Sequence, residues 1–541
     1  MELSSIAYSK LPKTSVLFLD YVSKFDRVAE FYSGSPYQSA SYSTLANELK
    51  FGAEERERIT EILTAQNKAF GSGAATFDNI NRLSKPGTFA VVTGQQVGLF
   101  SGPAFTLYKA LTAVKLAQSL AEQGLDAVPV FWLATEDHDL EEVAQTSTLD
   151  DESNLIDLKD SGERPARHSP VGQVRFTDQI QAALDTLEKT LPPGPSRDQV
   201  LQDLRECYQP GAAWGKAFGR FLAKAFSKWG VVLLDPMDAG VHALSAHIYH
   251  AVISRCGGLK QRLQKRSETL VHLGYDAQVF VGEESTLIFV AQEGNRTALH
   301  ERGGQFFLDG AGAISAAELG TLAANQPLAF SPNALLRPVI QDSLLPNIAY
   351  VAGPSELAYL AQSQVIYNEL GRPQPIIFPR AGFTLVDARS KRLMEKYRVS
   401  LEDVWRGEEH LLRTIAANGF AEGWATRLDE TETGLIQLLE RLRKDVEAID
   451  PTLLDTLKHT EEKMKHQMDQ LKGKISRAAM GKSELLARHE QALLRFLLPR
   501  KQLQEREVSG AYFLARAGYE LLDRLLSLIR TDSSNHLVVA Y

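Results

Sequence analysis

The sequence predicts an α/β protein built on a buried, mostly parallel sheet and extended by an α-helical antiparallel coiled coil. Three observations carry this. The apolar runs "FAVVTG", "VPVFWLAT", "GVVLLD", "NIAYVAG" and "PIIFP" alternate with helical segments between "SKPGTF" (84–89) and about residue 390. Each run is apolar on successive positions, as a strand covered on both faces is. After about residue 390 the strand signals vanish and leucines recur at helical spacing.

The 541 residues exceed one compact core and suggest about three structural units. Residues 1–85 form a helical preface, in which "LANELKFGAEERERITEILTAQNKAFG" places Ile59, Ile62 and Leu63 on one stripe. The α/β core spans 86–390. Within it, "STLIFVAQEGNRTALHERGGQFFLDG" sets two strand-like runs beside glycine-containing turns, so an inserted hairpin subdomain is expected at about 255–330. Residues 391–541 make the helical part. There Leu435, Leu438, Leu439, Leu442, Val446, Ile449, Leu453, Leu457, Met464, Met468, Leu471 and Ile475 form a long seam, which Pro451 bends or interrupts. "SRAAMGKSE" then separates it from a second seam in "LLARHEQALLRFLLP". An antiparallel coiled-coil hairpin turning at that polar stretch is the economical arrangement, with an ordinary bundle as the alternative.

Composition narrows the function. A formal charge of -8 argues against a general nucleic-acid binder, which needs a basic surface. The two cysteines, Cys207 and Cys256, have no partner at CxxC spacing, which fits a reducing, cytoplasmic compartment. No basic leader with a long apolar run opens the chain, and no stretch reaches about 18 uninterrupted apolar residues, so neither export nor membrane insertion is expected.

Polar groups gather at the ends of the apolar runs. In "AVVTGQQVGLFSGPAFTLYKA" (90–110) a strand meets a helix, with Ser101 or Gly102 placed to cap it and Pro103 suited to its first turn. A helix start at a strand's carboxyl end favours a carboxylate or phosphate, and Gly94, Gly98 and Gly102 would let backbone approach it. The pattern is neither GxGxxG nor GxxxxGK[ST], and Lys109 lies about two turns into the helix, beyond the phosphate-loop position. Thr93, Gln95, Gln96 and Ser101 supply polar contacts.

"VPVFWLATEDHDLEEVA" (128–144) ends a strand in Glu136, Asp137, His138 and Asp139. A histidine among acids should hold its proton more readily than a free imidazole, which suits general acid–base work or an ammonium partner. Metal binding is the alternative, opposed by the alternating directions of adjacent side chains; helix capping by Asp137 or Asp139 is the bland reading. "RPVIQDSLLPNIAYVAGPSELAYLAQ" (337–362) repeats the strand–glycine–helix plan. It brings Arg337, Gln341 and Asp342 ahead of the strand and Tyr350, Ser355 and Glu356 near its exit. Arg380 ends "PIIFPR", either to clamp a carboxylate or phosphate or to tie down a neighbouring acid.

The strings "TGQQVGLFSGPAFTLYKALTAVKLA", "VPVFWLATEDHDLEEV" and "RPVIQDSLLPNIAYVAGPSELAY", with "LQER" at 503–506, resemble the bacillithiol-biosynthesis cysteine-adding family, BshC, in order along nearly the whole chain. The resemblance implies a Rossmann-like nucleotidyltransferase-type core with inserted subdomains, a coiled-coil domain and a homodimer. It also implies a ligase that joins L-cysteine to glucosaminyl-malate. Two departures stand out: "ATEDHD" where a glycine often precedes the acids, and "PRKQLQER" where an Asn-Gly pair is common.

Making an amide from a carboxylate requires activation, as an acyl phosphate or acyl adenylate, so ATP or another nucleotide is implied. On this reading Thr93, Gln95, Gln96 and Ser101 hold the activated group. Glu136, Asp137, His138 and Asp139 bind the cysteine ammonium and remove its proton, and Arg337 and Arg380 clamp negative charge. Arg500, Lys501, Gln504 and Arg506 are the candidate nucleotide contacts. Another nucleotidyl or adenylyl transferase and a non-catalytic coiled-coil scaffold are the competing classes, the scaffold having no reason to gather polar groups at strand exits.

Overall fold

The computed structural model describes residues 3–308, 312–419 and 423–541. All five apolar runs enter one parallel sheet: β1 (Phe89–Gln95), β2 (Ala127–Leu133), β3 (Val232–Leu234), β4 (Asn347–Ala352) and β5 (Ile376–Pro379). Their order is β5-β4-β1-β2-β3. After β1 the chain builds outward through β2 and β3, then returns to place β4 on the other flank of β1. A crevice therefore opens between the carboxyl ends of β1 and β4, where strand order reverses.

The two faces of β1 divide the core. Phe89 and Val91 pack with Ala113, Leu116, Ala117 and Leu120 of α1 (Phe105–Glu122), while Ala90 and Val92 join the larger cluster on the other face. β3 is an edge strand, and two side chains of the helix Ala53–Phe70 cover it in place of a further strand. Asn67 Nδ2 donates to the Leu233 carbonyl (2.8 Å) while its Oδ1 accepts the Leu233 amide (3.1 Å). Gln66 does the same for Asp235, at 2.9 and 2.8 Å. Because Asn67 is fully buried, Asn67→Leu strands two backbone groups. We expect it to cost about 1–3 kcal/mol in urea unfolding.

The expected hairpin is larger than its sequence pattern suggests. Ser285–Gln292, Asn295–Arg302, Gln305–Leu308, Ala313–Ile314 and Phe330–Pro332 form a five-stranded antiparallel sheet. The tail of the quoted stretch, Asp309 and Gly310, lies outside the described residues. Strands also do not vanish after residue 390. His536–Ala540 pairs with Leu3–Ile6 and with Gly382–Val386, so this short run gains its strand character from partners distant in sequence.

The coiled-coil hairpin forms, but it turns at Pro451. α5 (Trp424–Ile449) and α6 (Leu453–Gly481) are its arms, and Lys472 of α6 reaches Asp429 (2.7 Å) and Glu432 (2.5 Å) of α5. Proline keeps Asp450 extended, and the Asp450 carboxylate accepts the Thr452 amide (2.9 Å), so the break becomes a tight turn. The second seam, α7 (Glu484–Leu497), packs back on the helix Ala388–Tyr397 through Tyr397 and His489 (2.6 Å).

Candidate active site

A cavity of about 590 Å³ occupies the crevice at the carboxyl ends of β1, β2 and β4. Its wall brings together Gln95 and Gln96 from the end of β1, Glu136 and Asp137 after β2, and Tyr350, Ser355 and Glu356 around the end of β4. Arg337, Arg380 and Arg506 complete the set of expected residues in that wall.

The polar centre is a largely buried network. Lys109 side-chain exposure is only 3%, yet its ammonium turns back toward the start of α1 and donates to the Gly94 carbonyl (2.7 Å) and Gln95 Oε1 (2.9 Å). It also pairs with Glu356. Glu356 accepts the Gly353 amide (2.8 Å) and the Tyr350 hydroxyl (2.8 Å), capping α4 (Pro354–Glu369). Burial alone would raise the Glu356 carboxyl; Lys109 and the Gly353 amide outweigh it and hold the carboxyl below its ordinary value. Arg337 opens α3 (Arg337–Leu344) and donates to Tyr359 (2.8 Å), Tyr350 (3.3 Å) and Gln341 (3.0 Å).

The acidic stretch after β2 splits by function. Glu136 sits in the cavity wall with its side chain 12% exposed, and this partial burial pushes its carboxyl up to about 7, Asp235 adding to the rise and Arg296 and Arg337 opposing it. Asp137 lines the cavity with its Oδ2 accepting from Gln96 Nε2 (2.8 Å). Asp139 instead caps the helix Leu140–Val143, accepting the Glu142 amide (3.2 Å), so it serves the backbone.

His138 differs from expectation. Burial, then Arg296, lowers its pKa and outweighs Asp137 and Asp139, so it does not retain a proton more readily than a free imidazole. Arg296 comes from the inserted sheet, stacks on Phe289 at 3.9 Å and donates to His138 Nδ1 (3.0 Å), which fixes that nitrogen as an acceptor.

Several expected contacts are used internally. Thr93 donates to the Val351 carbonyl (2.9 Å) inside the sheet. Ser101 is fully buried at φ 73°, its amide pointing to Tyr208, and it caps no helix. The amide of Ala104, which caps α1, is taken by the Val508 carbonyl (2.9 Å), so that amide is closed to an anion. Gly98 and Gly102 meet each other: a Cβ on Gly98 would lie 2.7 Å from Gly102 Cα. Gly94 is needed against Trp132, whose carbonyl would be 3.0 Å from a Cβ.

Gln341 and Asp342 sit on α3, ahead of β4 as expected. Asp342 bonds Asn347 (2.7 Å) at the amino end of β4, away from the cavity.

Arg380 ties down an acid. It makes a two-pronged pair with Glu505 of "LQER" (3.1 and 2.5 Å), both side chains buried, and Glu505 also accepts the Phe383 amide (2.9 Å). Of the four suggested nucleotide contacts, Gln504 is buried and spent on Leu385 and Phe496 backbone. Arg500 is bound to Asp157 (2.5 Å). Lys501 and Arg506 line a second cavity of about 350 Å³ that shares Ser355, Arg380 and Arg506 with the first. These two cations fit an anionic phosphate; Arg500 and Gln504 do not.

Sequence reasoning missed Lys109, Arg296, Tyr359 and Glu505. A lone lysine in the apolar helix "FTLYKALTAV" was the available signal for the first, because burying an ammonium requires a partner. Arg296 had none, since only the inserted sheet brings it to the rim.

A family model described as "Bacillithiol biosynthesis BshC, N-terminal Rossmann-like domain" matches residues 1–381, and one described as the "C-terminal coiled-coil domain" of BshC matches 383–541. A protein of Solibacter usitatus carrying the name "Putative cysteine ligase BshC" is 35% identical over 539 residues, covering 100% of both chains. Proteins of the same name from Koribacter versatilis and Salinibacter ruber are each 33% identical. They cover 98% and 97% of this chain, and 99% and 96% of their own.

Proposed function

The chain belongs to the BshC family of bacillithiol biosynthesis and is a ligase, and from that premise we propose that it joins L-cysteine to glucosaminyl-malate through an amide bond. The observation that supports this reading most is the pairing, in one rim cavity, of a largely covered carboxyl pushed up to about 7 with a cationic wall. A base poised there is matched to a proton that must leave an ammonium at neutral pH.

Asp137 and Gln96 hold the ammonium of the attacking amine, and Glu136 takes its proton. Arg337, with Arg506 at the edge shared by the two cavities, attracts the sugar-acid carboxylates. Arg380, already saturated by Glu505, sets the shape of that edge and does not clamp substrate. ATP or another nucleotide would supply the activation a carboxylate needs, with Lys501 and Arg506 to hold its phosphates. Leu438, Leu442 and Ile449 stand exposed along α5, which supports a homodimer through the arm. No helix among the described residues is long and apolar enough to cross a membrane, and we place the reaction in the cytoplasm.

Calorimetry with glucosaminyl-malate, L-cysteine and ATP, each alone, tests this reading. Heat with the sugar-acid, and bacillithiol by mass spectrometry when all three are present, are expected. Heat with nucleotide alone and no thiol product would favour another transferase, and no heat at all a scaffold.

A further inference from the structure

Glu136 has a neighbour that no strand-exit pattern announces. His242 lies in the first turns of α2 (Ala239–Ser254), whose start Asp238 caps by accepting the Gly240 amide (2.8 Å). It is buried, and its Nε2 stands 3.3 Å from Glu136 Oε1. Its other nitrogen, Nδ1, is 3.1 Å from the Pro327 carbonyl. A carbonyl only accepts, so Nδ1 carries a hydrogen, and in the neutral ring Nε2 is left as an acceptor facing the carboxyl.

We propose that Glu136 and His242 form one proton-holding pair, in which His242 is a positioning residue whose Nε2 accepts a hydrogen bond from the protonated Glu136 carboxyl. The identity of the proton donor rests on the cysteine-addition reading. An N–H bond of the ammonium breaks, the nitrogen keeps the electron pair and becomes the nucleophilic amine, and the proton joins Glu136, turning carboxylate into carboxylic acid. The His242 contact stabilises that acid, and the proton passes to solvent through the cavity after turnover.

The surroundings favour the neutral arrangement. Burial raises Glu136 and lowers His242, so each is pushed toward its uncharged form. The charged and titratable groups facing the pair are Arg296 from the inserted sheet, Arg337 from α3, Asp235 at the exit of β3, Asp238 capping α2 and Tyr249 on it. Arg296 and Arg337 favour the carboxylate and Asp235 opposes it, which leaves Glu136 free to cycle near neutrality.

Infrared titration of the full-length protein tests the pair without substrate. The carboxylic acid C=O band that disappears in Glu136→Gln belongs to this group and should titrate near 7. His242→Asn keeps a donor for the Pro327 carbonyl but removes the Nε2 acceptor; we expect the band to move to higher frequency and its midpoint to fall by about one pH unit. His242→Gln, which returns a polar atom toward the Nε2 position, should recover part of that shift. In cysteine addition, the acidic midpoint of the kcat–pH profile should fall with it.

An unchanged or higher midpoint in His242→Asn overturns the proposal. Should that variant not fold, nitrogen NMR of wild-type His242 decides. A neutral ring protonated at Nδ1 across the Glu136 titration supports the pair, and an imidazolium overturns it. A band shift in protein that adds no cysteine upholds the pair and refutes the function assigned to it.

Discussion

Replacing Glu505 with alanine is expected to lower the unfolding free energy by about 3–5 kcal/mol, the range for removing one member of a buried ion pair. Arg380 would be left as a buried guanidinium without its carboxylate, and the Phe383 amide would lose its acceptor. The effect is large because the pair is nearly enclosed: the two side chains are 6% and 3% exposed, so little water reaches the charge from the cavities that Arg380 borders. It also joins two distant parts of the chain, the end of β5 and the "LQER" turn that follows α7. The double variant Arg380→Met/Glu505→Leu should recover most of the loss, since an apolar pair leaves no charge uncompensated. Urea unfolding of the two variants against wild type checks both expectations.

The same pair sets an acid limit. Burial would raise the Glu505 carboxyl, but Arg380 outweighs it and holds it below its ordinary value. A carboxyl depressed on folding contributes stability above its unfolded value of about 4.3 and loses it as pH falls through the lower folded value. Glu505→Ala should therefore flatten the stability profile below that pH.

Glu136→Gln is expected to reduce cysteine addition by about 10²–10⁴-fold, the usual contribution of a positioned general base. Gln keeps the size and polarity of the side chain but cannot accept the ammonium proton, so glucosaminyl-malate affinity should change little. With its carboxyl titrating near 7, wild type should gain activity as pH rises through that value, because only the carboxylate is a base. The variant should lack this limb. Steady-state rates across pH, with sugar-acid binding measured separately, distinguish lost proton transfer from lost binding.

The sheet was legible because each strand carries a continuous apolar run: β2 is buried at every position, and burial on both faces leaves that mark in sequence. The rim was legible for a related reason, since ionisable residues ending such a run must reach solvent or a cavity. What each does was not. Glu136 faces the cavity while Asp139, three residues on, caps a helix, and the difference depends on backbone direction after β2. Thr93 and Ser101 resembled ligand contacts because a hydroxyl that satisfies a carbonyl or sits in a tight turn has the same sequence appearance.

Contacts between distant segments were the hardest to read. Glu505 meets Arg380 and Arg296 meets His138, and nothing local in "LQER" or "EGNRTALHE" specifies either partner. The arm shows the same limit. Its leucine spacing marked two long helices, yet whether Pro451 bends one helix or turns between two depends on what Asp450 and Thr452 do with their hydrogen bonds.

On this proposal, side chains from the ends of β1, β2 and β4 make one pocket for the sugar-acid. A crystal structure of the protein with glucosaminyl-malate tests it most directly. The ligand should lie in the rim cavity, its carboxylates toward Arg337 and Arg506 and its reacting group beside Asp137 and Glu136. Density for the sugar-acid on any other face, with this cavity holding only solvent, would contradict it.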